Sequence, residues 1–329
     1  MKNLSIEYND LYFVIASLGR SNLIKDFFTR SPRSQTKLGP RDDRRIIRAI
    51  SVLLFCAYSS SAQEIWTIKF DPKEPAPGQT LKIELKNAPE RATVFARFKN
   101  KTYPFYTVKQ PSPHKRALVG IAGDCPAGQY PLEIYQRGWL RKRKIWQKEI
   151  VVIAKEFPKE VIELKKDKTS LIEEKKGASD TAKIRQRLKK LTSEQLWQGV
   201  FDIPTQGRQT SIYGIRRVIN NDIPWNFHKG LDLGAPEGTP AYAPGGGHVV
   251  LAEPLTLQGN CVLLDHGQGV YSIYMHLSEI GVRPGQLLKK GEFLGKVGST
   301  GIATAAHLHW GIYVNGDAVD PAEWLTRKF

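Results

Sequence analysis

The stretch Ala306-His307-Leu308-His309-Trp310-Gly311-Ile312-Tyr313-Val314 decides how this chain is read. As a strand, its period of two sends His307 and His309 to one face and Leu308, Trp310 and Ile312 to the other. The apolar face needs a core behind it, and the two imidazoles then stand about 6.5–7 Å apart along the chain. A second strand, Val270-Tyr271-Ser272-Ile273-Tyr274-Met275-His276-Leu277, follows the turn Asp265-His266-Gly267-Gln268-Gly269 and presents Tyr274 and His276 on one side. The stretch His228-Lys229-Gly230-Leu231-Asp232-Leu233-Gly234 could be a helix with His228 and Asp232 at i and i+4. Gly230, Gly234 and the alternating leucines favour a strand that aligns His228, Gly230, Asp232 and Gly234. That polar face carries no bulk around its His and Asp, as an open site requires.

Two histidines and one carboxylate with a vacant position are how catalytic zinc is held, and zinc lowers the pKa of bound water to about 7. A neighbouring histidine can take the proton. A lone histidine is more often structural, and His114, His248 and His266 are read so. Three His/Asp-bearing strands in one region argue instead for a shared site.

The remaining sequence gives these strands their setting. The chain has 329 residues, 41% hydrophobic and 25% charged, which excludes a wholly disordered or collagen-like protein. Its 3 cysteines are too few for a disulfide scaffold, and Cys125 and Cys261 are expected to stay unpaired. No apolar run reaches the roughly 18 residues of a spanning helix, so a multi-pass membrane protein is excluded. The net charge of +17 does not lie with the histidines. Residues 205–329 hold 10 Lys+Arg and 10 Asp+Glu, whereas residues 63–204 carry +12. Nucleic-acid binding therefore finds no support at the site. The basic region suits attachment to acidic envelope polymers, separable from catalysis.

The chain reads as mainly β in four parts. Residues 1–62 are an N-terminal extension whose end, with residues 44–63, has a signal-peptide layout: Arg44-Arg45, a short apolar run, then Ser59-Ser60-Ser61-Ala62. Cleavage is expected near Gln63, or the segment stays as an anchor. Residues 63–155 show period-two runs such as Leu81, Ile83 and Leu85, broken by Pro75-Ala76-Pro77-Gly78 and Asp124-Cys125-Pro126-Ala127-Gly128, as in an immunoglobulin-like sandwich. Trp139, Trp146 and the basic residues between 137 and 148 read as a solvated hairpin. Residues 156–200 form a charged, partly helical linker, with an amphipathic helix over 180–198 (Ile184, Leu188, Leu191, Leu196) and a mobile stretch over 165–176. Residues 201–329 are the antiparallel β domain that bears the site.

The ordered set His228-x-x-x-Asp232, Gly259-Asn260-x-Val262-x-x-Asp265-His266-Gly267, Tyr274-x-His276-Leu277 and His307-Leu308-His309-Trp310 resembles the lysostaphin/LytM-type zinc endopeptidases of bacterial peptidoglycan, over about residues 205–325. The resemblance implies His228, Asp232 and His309 as ligands of one Zn2+ per chain. It makes His307 the general base towards a zinc-activated water, with His276 assisting the carbonyl oxygen. Tyr274 and Asn260 are expected at the substrate surface. Thr304-Ala305-Ala306 stands where the family usually has Gly-Pro before His-Leu-His, which removes no ligand but can shift His307 or one subsite. The implied protein is a monomer in the periplasm or cell envelope that acts on peptide stems or cross-bridges of peptidoglycan. The alternative, a non-catalytic regulator of other wall hydrolases, is disfavoured because such relatives lose ligands and here every ligand position is filled.

Overall fold

The computed structural model describes residues 66–108, 114–138, 141–163, 175–220 and 223–329. The signal-like segment, Trp139 and most of residues 165–176 lie outside them. No helix among the described residues is long and apolar enough to cross a membrane. Eight strands, β1 (Thr67–Asp71), β2 (Thr80–Lys86), β3 (Val94–Phe98), β4 (Lys101–Pro104), β5 (Tyr106–Val108), β6 (His114–Gly120), β7 (Gly128–Arg137) and β8 (Lys142–Val152), make two antiparallel sheets, ordered β1-β2-β6-β5 and β4-β3-β7-β8. Alternation drives their packing. Leu81, Ile83 and Leu85 are fully buried and meet Ala96, Phe98, Val119, Leu132 and Ile134 in the core between the sheets. Each such side chain contributes about 1.5–3 kcal/mol on burial. Strand β6 is buried on both faces: Ala117 and Val119 point into the sandwich, while Leu118 joins the core of the following domain.

The rest of the chain continues through β9 (Lys159–Ile162), α1 (Lys175–Arg187), β10 (Arg208–Ser211), β11 (Arg216–Ile219), β12 (Ile223–Phe227), β13 (Leu231–Gly234), β14 (Pro240–Tyr242), β15 (Gly247–Leu255), β16 (Gly259–Gly267), β17 (Val270–Leu277), β18 (Glu279–Ile280), β19 (Leu287–Leu288), β20 (Phe293–Lys296), β21 (His307–Val314), β22 (Asp317–Val319) and α2 (Pro321–Thr326). The main sheet runs β10-β13-β21-β17-β16-β15-β19, with β22 paired to β21. Tight hairpins set its registers. Gln268-Gly269 joins β16 to β17 and Asn315-Gly316 joins β21 to β22, each with two positive φ angles, as in a two-residue hairpin turn that matches strand twist. Leu308, Trp310, Ile312 and Val314 of β21 are fully buried on one face.

The charged segment is partly helical, and its helix is packed on one face. Ile184 and Leu188 lie on Leu251, Leu255, Cys261, Leu263, Tyr271 and Ile273 of the main sheet. The helix ends at Arg187 and not at residue 198. Beyond it the backbone leaves the helix to bond the β16–β17 turn: Gln268 N–H donates to the Thr192 carbonyl (2.6 Å) and Leu196 N–H to that of His266 (2.9 Å). Leu191 is exposed as a result, and Trp197 enters the core. Arg116 of β6, 3% exposed, spans the seam to the sandwich, donating to Gln195 Oε1 (3.1 Å) and to Gln268 while lying over the Trp197 ring. Cys125 and Cys261 are free and sit in different cores.

A buried polar chain lies under the main sheet. His266 donates from Nδ1 to the Gly246 carbonyl and accepts at Nε2 from Ser272, whose oxygen lies 2.6 Å from the Tyr274 hydroxyl. Burial lowers the His266 pKa to about 4, from 6.5, so its stabilising neutral form is complete above pH 6.5 and lost as pH falls towards 4. His266→Asn should lose stability at pH 7 yet fall less steeply, by about 2 kcal/mol, between pH 7 and pH 5. Urea unfolding at the two pH values checks this, and equal slopes would assign the acid sensitivity elsewhere.

Candidate metal centre

Register assembles the centre. Asp232 of β13 lies opposite His309 of β21, and Gly234 opposite His307, so both histidines and the carboxylate share the face away from Trp310. His228 falls just before β13, in the link from β12, so the strand is shorter than its sequence suggests. Gly230 permits the tight path: a Cβ there would lie 2.4 Å from the Trp310 carbonyl oxygen and 2.9 Å from the His309 ring. His228 Nδ1 sits 2.7 Å from the Ile212 carbonyl oxygen, which can only accept. Its Nδ1 therefore carries the hydrogen, and Nε2 of the neutral ring is a lone pair.

That lone pair stands 2.9 Å from Asp232 Oδ1 and 2.9 Å from His309 Nδ1. His309 Nδ1 is itself 2.9 Å from Asp232 Oδ1. Three buried donor atoms lie within 4.8 Å of one another. Electron-rich atoms so placed repel unless a proton or cation stands between them, and two imidazoles with one carboxylate are a donor set for a divalent metal. Burial pushes the Asp232 carboxyl upward, but its bonds to His228 and His309 prevail and hold it well below the usual range. Burial lowers His309 to about 4, against the pull of Asp232. The centre thus presents an ionised carboxylate beside a neutral His309 imidazole at pH 7.

His276 and His307 complete the arrangement, with ring centroids 4.9 Å apart. Each is anchored the same way: His276 Nδ1 lies 2.8 Å from the Thr300 carbonyl oxygen, and His307 Nδ1 lies 2.8 Å from that of Ala305. The Ala305-Ala306 departure therefore still supplies the carbonyl that holds His307. Both rings present Nε2 as an acceptor, that of His307 being 3.7 Å from Asp232 Oδ1. Burial, then the neighbouring His307 and His309, lowers His276 to about 3.

Two expectations need correction. Strict alternation puts Tyr274 beside His276, but His276 has φ +65°, and this left-handed residue breaks the alternation. Met275, paired with His309, and His276 both line the cleft, while Tyr274 is fully buried beside Trp310 with its hydroxyl on Ser272. Asn260 also does not line the cleft; its amide donates to the Leu277 and Ser278 carbonyls (2.9 and 3.2 Å). Neither side chain lines the cleft. Of the remaining histidines, His266 is in the core, and His114 and His248 do not line the cleft.

The cleft encloses about 860 Å³. Its walls include Glu160 and Glu163 next to and in β9, and Ile184 and Arg185 of α1, so the charged segment borders the site. Sequence reasoning passed over Arg217, whose guanidinium donates to Asp232 Oδ2 at 2.7 Å and to Ser211 Oγ at 2.7 Å. A partner 15 positions away leaves no periodic signal in the sequence.

The family model described as Peptidase family M23 matches residues 226–321. An uncharacterized metalloprotease of Haemophilus influenzae is 44% identical over 105 residues, covering 31% of this chain and 21% of that protein. Peptidoglycan DD-endopeptidase ShyA of Vibrio cholerae is 40% identical over 93 residues, covering 28% of this chain and 22% of that protein. The chain thus spans about a fifth of the length of these curated relatives. A solved M23 peptidase structure from Pseudomonas aeruginosa superposes with a TM-score of 0.57 at 27% identity, covering 78% of this chain and 96% of that one.

Removing a donor should remove the metal. His309→Ala is expected to lower bound divalent metal per chain, measured by elemental analysis of dialysed protein. Full metal occupancy in this variant would contradict the ligand set.

Proposed function

We propose that this chain, whose residues 226–321 match the model of peptidase family M23, is a zinc metalloendopeptidase that hydrolyses peptide bonds in bacterial peptidoglycan. The observation that carries the reading is the convergence of His228 Nε2, Asp232 Oδ1 and His309 Nδ1 in a cleft flanked by two more histidines. Residues His228, Asp232 and His309 would hold the ion. A bound zinc supplies a Lewis acid that polarises a peptide carbonyl and brings the pKa of water down to about 7.

The chain's own groups do the rest. His307 accepts a proton at Nε2, and its Nδ1–H bond to the Ala305 carbonyl keeps the ring oriented and favours the imidazolium that results. His276 also offers a lone pair at Nε2, so it stabilises a negative oxygen only after taking up a proton. With its pKa lowered to about 3 it stays neutral beside His307, and His307 passes its proton on to the departing amine. Met275 and Ile302 supply apolar wall for an extended peptide. Relatives named as peptidoglycan DD-endopeptidases support cell-wall stems or cross-bridges as substrate and the periplasm or envelope as the place of action. The regulator reading fits less well, since all three ligands and both further histidines are present.

Digestion of purified sacculi with and without added zinc, followed by mass analysis of the released fragments, tests the reading. Zinc-dependent release of peptide-cleaved fragments is expected, and no release with zinc-loaded protein would overturn it. His307→Ala should keep its zinc while losing about 100- to 10,000-fold in rate. Loss of the metal instead would mean that His307 and His309 have exchanged roles.

A further inference from the structure

Asp232 uses its two oxygens differently. Oδ1 faces His228 Nε2 and His309 Nδ1, while Oδ2 is taken by Arg217 Nη2 at 2.7 Å. The same guanidinium donates to Ser211 Oγ at 2.7 Å, and its Nε lies 3.3 Å from Glu160 Oε2. Its acceptors come from three strands, β10, β13 and β9. The contact to β9 is built by register, because β9 pairs in parallel with β11 and sets Glu160 beside Arg217. Both Arg217 and Glu160 lie ahead of the stretch matched by the M23 family, residues 226–321.

A free carboxylate can rotate and offer a cation one oxygen or two. A strong donor on Oδ2 stops the rotation and leaves Oδ1 alone directed at the two imidazoles. The planar guanidinium spreads these bonds over two nitrogens, Nη2 to Asp232 and Ser211 and Nε to Glu160, whereas an ammonium holds its three N–H groups on one atom. The arrangement has a cost, because a guanidinium beside a cation site repels the cation. Glu160 offsets that charge and draws Arg217 to the β9 side. Its side chain is 43% exposed, so its effect is the smaller one.

We propose that Arg217 is a positioning residue for the metal centre, fixing Asp232 in a one-oxygen pose, and that Glu160 steers it from β9. The proposal rests on the zinc reading of the site. It makes the strand ahead of the family-matched stretch part of the metal centre.

Competition between the full chain and a chromophoric chelator for Zn2+, together with the visible spectrum of the Co2+-loaded protein, tests it. Arg217→Gln should weaken zinc binding about 10- to 100-fold and alter the Co2+ spectrum, as loss of a partner to a ligand does. Arg217→Lys keeps the charge and loses the fork, so it should also weaken binding, by a smaller factor. Glu160→Gln should weaken binding by up to about five-fold in the wild-type background and have no effect in Arg217→Gln. A purely structural tie would lower the melting temperature of the metal-free variants and leave zinc affinity and the Co2+ spectrum unchanged, and that result overturns the proposal. Should Arg217→Gln fail to fold, the Lys variant carries the test, and wild-type affinity in it is equally fatal. A wild-type protein that takes up no zinc would sink the zinc reading itself, which this series separates from the role of Arg217.

Discussion

Everything at the site depends on the register of β21 between β13 and β17. Leu231 and Tyr274 lie opposite Trp310 from the two sides, and Asp232 and Met275 lie opposite His309. A slip of one residue would bring Leu308, Trp310 and Ile312 out of the core and push both histidines into it. Burial of those three side chains contributes about 1.5–3 kcal/mol each, so the slipped form is not a competitor. The core therefore does more than stabilise the sheet: it determines which carboxylate meets which imidazole. The Asn315-Gly316 turn adds a second lock on the same strand by fixing its pairing with β22.

Against this regular background the site needs two irregular positions. Gly230 lets the chain pass the Trp310 carbonyl closely enough for His228 to turn towards Asp232. At φ +65°, His276 leaves the alternation of β17 and joins the histidine face. Non-glycine residues in the left-handed region carry strain of order 1–3 kcal/mol and persist where surroundings hold them. Here two contacts do so: the His276 N–H donates to the Gln258 carbonyl and its Nδ1–H to that of Thr300. Both histidines outside the ligand set are thus oriented through main-chain carbonyls and stay correctly turned without a charged partner.

These features explain what could be read in the sequence. Period two over residues 306–314 gave the strand, its buried face and its histidine face, because one strict rule governs both packing and site. The sandwich was legible for the same reason in Leu81, Ile83 and Leu85. Tyr274 and Asn260 were misplaced. For Tyr274 the cause is a single backbone angle at the next residue but one, which no hydrophobic pattern encodes. In the case of Asn260 it is a choice between ligand and main-chain partners that a motif leaves open. The helix end was misread because Leu191 and Leu196 kept the helical spacing, while the backbone groups between them were needed by the β16–β17 turn. Arg217 was invisible because its importance comes from pairing across three strands.

The segment between the sandwich and the sheet that bears the candidate metal centre also changes how the molecule's basic half should be viewed. Its charge suggested a tether separable from catalysis, yet α1 covers Leu251, Leu255, Leu263, Tyr271 and Ile273, and Trp197 fills the core beneath the opposite face. A fragment starting at residue 205 would expose the first group of side chains to water and leave the Gln268 N–H and the His266 carbonyl without their partners. Farther out, Arg116 is buried in the seam while burial lowers its pKa only to about 10, so it remains charged there and needs Gln195, Gln268 and the Trp197 face. At the far edge, Thr80 N–H bonds Glu323 and Arg327 bonds Asp71, joining β2 and β1 to the C-terminal helix region. A buried cation with its partners on the other side of a seam penalises opening of that seam, since separation strands the partners and exposes apolar surface at once. The sandwich and the sheet that bears the candidate metal centre are therefore tied together across this seam at both of its ends.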